Sequence, residues 1–93
     1  MEYRIHFVVR GKVQGVGFRW FAREQARRCD LAGWVRNNAD GTVEIQVAGD
    51  PECVDRFRAA VGVGPPGSRV DEVRRLQPSG DEQPLPYPFQ MVR

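Results

Sequence analysis

Apolar and polar residues alternate from residue 3 to residue 9, with Tyr3, Ile5, Phe7 and Val9 on one side and Arg4, His6 and Val8 on the other. A period of two is that of a half-buried strand, whose successive side chains point to opposite faces. The glycine-rich stretch Gly11-Lys12-Val13-Gln14-Gly15-Val16-Gly17 breaks this alternation, and a new period follows it. Phe18, Phe21, Ala22, Gln25, Ala26 and Cys29 recur at steps of three and four residues, which gathers them on one helical face. A loop therefore leads from a first strand into a first helix.

Gly33-Trp34-Val35-Arg36-Asn37 predicts a short second strand, and Asn38-Ala39-Asp40-Gly41 supplies turn chemistry into a third, Thr42 to Val47. The two form a hairpin. Asp50 before Pro51 is suited to cap a second helix, whose apolar face is Val54, Phe57 and Val61 and which ends near Val61. Gly62 to Gly67, with Pro65-Pro66 inside it, predicts a loop. Val70, Val73 and Leu76 then recur at a spacing that fits a helix as well as an irregular strand. Pro78 to Pro88 predicts another loop, and Phe89-Gln90-Met91-Val92 a short last strand. No internal repeat or heptad is visible. The resulting order, βαββαβ, predicts an α+β fold: a ferredoxin-like split βαβ sandwich, with an antiparallel sheet and two helices on one face. Folds of this kind host many functions, so activity has to be argued from a site.

The length, 93 residues, fits one domain spanning 1–93. Apolar residues at 41% and charged residues at 28% describe a soluble folded chain that needs no metal or disulfide to hold it. A net charge of +2 is far from the basic stripe of a dedicated nucleic-acid binder but leaves small anions as partners. Residues 1–4 lead directly into the first strand without a signal-like core, and no apolar run has membrane-spanning length. A cytoplasmic monomer with no membrane or nucleic-acid partner is expected. Cys29 and Cys53, without CxxC spacing, read as free buried thiols.

The candidate chemistry centres on Gly15-Val16-Gly17-Phe18-Arg19, between a strand and a helix start. Glycines permit backbone angles at which successive N–H groups converge, and the helix start adds unpaired donors and a positive dipole end. Helix starts favour acidic residues, yet this one carries Arg19 and then Arg23. An arginine beside converging N–H groups can grip two phosphate oxygens in a planar fork. Arg23, Arg27 and Arg28 read as a solvated helix face.

Other phosphate chemistries lack their parts. There is no GxxxxGK[ST] loop, and Trp20 stands where a dinucleotide fingerprint needs glycine or alanine. Neither cysteine is followed by a glycine-rich cradle and an arginine. No cluster of carboxylates or histidines suggests a metal, and His6, the only histidine, sits within the first strand. Phosphate esters leave as alkoxides and normally want an acid or metal, whereas an acyl phosphate leaves as a carboxylate of pKa about 4. For such a substrate, positioning and electrostatics suffice. On its own residues the hairpin leaves Asn37 and Asn38 as equal candidates to orient water.

Gly11-Lys12-Val13-Gln14-Gly15-Val16-Gly17-Phe18-Arg19 resembles the first signature of the acylphosphatases. Gly33-Trp34-Val35-Arg36-Asn37, followed by Gly41, Val43 and Gly49, resembles the second. The similarity extends through Gly64-Pro65-Pro66-Gly67 to Val70 and so spans essentially the whole chain. It implies hydrolysis of the carboxyl-phosphate anhydride of acyl phosphates by in-line water, with no cofactor, no metal and no covalent intermediate. It implies further that Gly15, Val16, Gly17, Phe18 and Arg19 bind phosphate and that Asn37, selected by its spacing from Gly33, positions the water. In some relatives the C-terminal carboxylate or nearby aromatic residues fix the arginine.

Two rival readings remain. A module of a carbamoyl-phosphate-processing system would use the same site inside a larger protein. A ferredoxin-like RNA- or anion-binding module would need aromatics on its third strand, where this chain has Thr42-Val43-Glu44-Ile45-Gln46-Val47.

Overall fold

The computed structural model describes residues 2–77 and 83–93. The predicted loop from Pro78 to Pro88 falls partly on 78–82, outside the described residues. Alternation produces β1 over Tyr3–Lys12, longer than the sequence pattern because it runs on through Gly11. The remaining elements are α1 (Phe18–Arg28), β2 (Ala32–Asn37), β3 (Val43–Gly49), α2 (Pro51–Val63), β4 (Arg69–Arg75) and β5 (Gln90–Met91). The sheet order is β4-β1-β3-β2-β5. Its first four strands pair antiparallel, which gives the expected ferredoxin-like α+β arrangement. The fifth differs from the expectation of an all-antiparallel sheet: β5 lies parallel to β2, Trp34 opposite Gln90 and Val35 opposite Met91, so the sheet is mixed.

One face of the sheet carries the core. Ile5, Phe7 and Val9 of β1, Val35 of β2, and Val43, Ile45 and Val47 of β3 cluster with Ala22 and Ala26 of α1 and Val54, Phe57 and Val61 of α2. Phe57 meets Phe7 edge-on, with ring centroids 6.4 Å apart, and Phe89 at 5.8 Å. Burying each such ring stabilises the fold by about 2–3 kcal/mol. The Asp50 carboxylate accepts from the Glu52 N–H at 3.0 Å, capping α2 ahead of Pro51 as expected.

The three-residue spacing of Val70 and Val73 belongs to a strand. Gly11 pairs with Val70 while Arg10 pairs with Glu72, so Asp71 is an extra residue in β4. Such a bulge returns residues three apart to the same face, and both valines pack against the core. Cys29 and Cys53 are free thiols. Burial, and then the neighbouring Cys53, push the Cys29 thiol above its ordinary value against a smaller opposing effect of Arg56. Among the described residues no helix is long and apolar enough to cross a membrane.

Candidate active site

The loop after β1 is fastened before it turns. Val13 is buried in the core, and the Gln14 side-chain amide donates to the Asn38 carbonyl at 2.8 Å and the Thr42 carbonyl at 2.9 Å. One side chain thus ties the glycine loop to the hairpin between β2 and β3. Gly15 and Gly17 then take φ of 76° and 75°, in the left-handed region. A Cβ at either would meet nothing within 4 Å, so backbone angle, not space, calls for glycine; an L side chain there costs about 1–2 kcal/mol. Val16 between them packs inward against the core.

Gly17 is the N-cap of α1, which has no side-chain cap and no acidic residue in its first turn. The Phe21 N–H reaches the Gly17 carbonyl at 3.0 Å and starts the helical ladder. N–H groups of the preceding turn have no intrahelical acceptor and carry the positive end of the dipole. Phe18 turns its ring into the core, while Arg19 extends from the same turn. Its Nη1 donates to the Val92 carbonyl at 3.2 Å, and the Val92 N–H donates to the Val35 carbonyl at 2.8 Å. Arg27, two turns on, donates from Nε and Nη2 to the Phe89 carbonyl at 3.1 and 3.0 Å. Two arginines of α1 therefore hold main-chain carbonyls on either side of β5. Arg27 is more than part of a solvated face, a role without a sequence signal because its acceptor is a main-chain atom.

Asn37 ends β2, opposite Val43. Its neighbour Asn38 is committed to the turn: its N–H donates to the Thr42 carbonyl at 2.9 Å and its side-chain amide to Thr42 Oγ1 at 3.0 Å. Thr42 in turn donates its hydroxyl and N–H to Asp40 Oδ1, at 2.6 and 3.0 Å. Asn37 instead lines a cavity of about 240 Å³ together with Gly15, Gly17 and Arg19. The end of β2 separates the two asparagines that the sequence left equivalent: Asn37 closes the strand and Asn38 opens the turn. A larger depression of about 440 Å³, bounded by Glu2, Arg4, Ala32, Pro84 and Leu85, brings together no comparable set of donors. Among the described residues no group of three or more His, Cys, Asp or Glu is placed to hold a metal.

The end of β2 is also braced from the opposite sheet face. Arg36 Nη2 donates to Glu44 Oε1 at 2.9 Å, His6 Nε2 donates to Glu44 Oε2 at 2.6 Å, and the Arg36 guanidinium lies 5.1 Å from the Trp34 ring centroid. Burial alone would raise the Glu44 carboxyl, but hydrogen bonds from His6, Arg36 and Asn38, with the Arg36 charge, outweigh it and hold the group below its ordinary value. A folded-state value below the unfolded one makes the ionised carboxylate a stabilising group above about pH 4.3, a contribution lost as pH falls through the depressed value. Urea melts of Glu44→Gln and the parent chain are expected to differ at pH 7 and to converge as the solution is acidified below about pH 4. A stability gap that persists undiminished in acid would contradict this.

The Acylphosphatase family model matches residues 5–85. The chain belongs to the acylphosphatase family. The acylphosphatase of Thermococcus kodakarensis is 47% identical over 81 residues, 85% of this chain and 89% of that protein. A crystal structure of the acylphosphatase from Bacillus subtilis superposes with a TM-score of 0.86 at 36% identity, covering 100% of both chains. The same acylphosphatase fold superposes on 12% of the length of T. kodakarensis HypF, with a TM-score of 0.77 and 30% identity over 100% of this chain. This acylphosphatase chain is thus a hydrolase of a family that acts on small acyl phosphates. Gln14, inside the first signature segment and without an expected role, ties that segment to the hairpin that follows the second.

Proposed function

We propose that the chain works as one free-standing cytoplasmic domain, a monomer, that splits acyl phosphates by direct in-line attack of water, without metal or covalent intermediate. The observation that carries this reading is the meeting of Gly15, Gly17, Arg19 and Asn37 around one cavity. Backbone N–H groups from Gly15 to Arg19 receive the phosphoryl oxygens, and the Arg19 guanidinium grips two of them. These donors counter the charge that the three oxygens carry in the transition state. Gly15 and Gly17 held in the left-handed region and Arg19 anchored on Val92 support a cradle organised before substrate arrives.

Asn37 aims the attacking water. Its amide offers an acceptor and donors without adding negative charge beside an anion, and among the described residues none hydrogen-bonds its side chain, so it is available to water. The P–O bond to the acyl oxygen breaks as the water oxygen bonds to phosphorus, the water's protons end on the phosphate product, and the carboxylate departs without needing one. A strong base is unnecessary where the leaving group is this good.

The deciding experiment follows phosphate release from acetyl phosphate, with a phosphate monoester alongside. Hydrolysis of the first alone, undiminished by a chelator and competitively inhibited by inorganic phosphate, is expected. A rate that appears only on adding a divalent metal would overturn the metal-free reading. Service as a domain of a larger protein has one observation in its favour, the likeness to a segment of HypF. The near-complete coverage of the T. kodakarensis acylphosphatase favours the free enzyme.

A further inference from the structure

Most large apolar side chains of this protein are buried, and among the described residues four are exposed: Trp20 at 57%, Val63 at 78%, Tyr87 at 63% and Met91 at 38%. Single exposed apolar groups need no explanation. Tyr87 has a partner, since its hydroxyl donates to the Asp30 carboxylate, and Val63 is the last residue of α2. Trp20 and Met91 share a place instead. They come from different elements, the first turn of α1 and β5, and both line the cavity that holds Gly15, Arg19 and Asn37.

The charge around that cavity is as telling as its apolar part. Arg19 is the only charged side chain among the described residues lining it. With Arg19 occupied by the phosphoryl group, an acyl group bearing a second phosphate or a carboxylate would meet no further cation there, and desolvating it would be costly. An apolar acyl group would instead cover the indole face and the thioether. Indole offers a flat surface suited to stacking and Met a flexible, polarisable one that adapts to shape.

We propose that Trp20 and Met91 form the acyl-group subsite, and that the preferred substrates are acyl phosphates with an aromatic or bulky apolar acyl group. The inference rests on the phosphoryl site being the one described above. Cradle and acyl platform are then separate parts: the cradle recognises what all acyl phosphates share, and Trp20 with Met91 reads what distinguishes them. Burying about 60 Å² of apolar surface on such a platform corresponds to roughly a tenfold gain in affinity.

The test compares kcat/KM for benzoyl phosphate and acetyl phosphate in the parent chain, Trp20→Ala and Met91→Ala. The parent is expected to favour benzoyl phosphate, and Trp20→Ala to lower the benzoyl-to-acetyl ratio about tenfold, chiefly through KM for benzoyl phosphate. Met91→Ala should lower it less, and Trp20→Phe should recover most of it. A parent active on both substrates whose ratio is unmoved by Trp20→Ala and Met91→Ala overturns the subsite and leaves the phosphoryl site standing. Equal losses on both substrates would likewise overturn it, since they would place Trp20 in support of the cradle. A parent inert toward both acyl phosphates overturns the underlying reading as well.

Discussion

Arg19→Ala is expected to lose about a thousandfold in kcat/KM for acyl phosphate hydrolysis while the sheet and both helices remain folded. Among the described residues the guanidinium is the one cation lining the cavity, so in the proposed mechanism its loss removes both a grip on the phosphoryl group and the charge that offsets the transition state. Inorganic phosphate should therefore also inhibit the variant less well. The structural loss is small by comparison, a single bond to the Val92 carbonyl, worth about 1 kcal/mol. Arg19→Lys keeps the charge but replaces a planar fork with a point donor, and little activity should return. Circular dichroism with steady-state kinetics reads both sides of the claim. Near-normal hydrolysis by a folded Arg19→Ala protein would remove the arginine from the mechanism.

Asn37→Ala is expected to behave differently, because water is not part of the bound ground-state anion. Its kcat should fall about a hundredfold or more, with kcat/KM falling in step, while the inhibition constant for phosphate stays within about twofold. The adjacent residue supplies the control. Asn38 spends its amide on Thr42 within the turn, so Asn38→Ala should keep its turnover and lose about 1 kcal/mol of stability. Collapse of phosphate binding in folded Asn37→Ala protein, or inactivity confined to Asn38→Ala, would withdraw the water-positioning role.

How far the sequence reaches depends on which atoms carry the information. The face of α1 was legible because Phe18, Ala22 and Ala26 carry their burial in their side chains. The hairpin was legible because Asn38 to Gly41 are turn residues by chemistry, and the cap of α2 because Asp50 precedes proline. β4 was ambiguous for a physical reason: a strand with one extra residue at Asp71 repeats its inward face at three residues, the same step as a helical turn. β5 was foreseen as a strand but not its direction, since two residues carry no signal for parallel pairing.

At the site, the gathering of Gly15, Gly17 and Arg19 with Asn37 follows from two sequence segments, one after β1 and one at the end of β2, the strands that flank β3 in the sheet. The bonds that hold them could not be foreseen. Arg19 and Arg27 end on main-chain carbonyls of Val92 and Phe89, and a carbonyl is the same atom in every residue. Gln14 could have been suspected, since a long amide between two glycine-rich stretches has two donors to place and the hairpin turn has carbonyls to offer.

The anchoring of Arg19 on Val92 gives this protein two thermodynamic scales. β5 is two residues long at the edge of the sheet, and short edge elements open at a free energy below that of global unfolding. Each opening frees the acceptor that orients the arginine while the four longer strands stay paired. On the role proposed for Arg19, the fraction of competent molecules at a given temperature is expected to follow this local equilibrium, and a turnover assay to report it much as amide exchange at residues 90–92 would. Two variants with one melting temperature can accordingly differ in specific activity, and the difference will track how firmly their last strand stays docked.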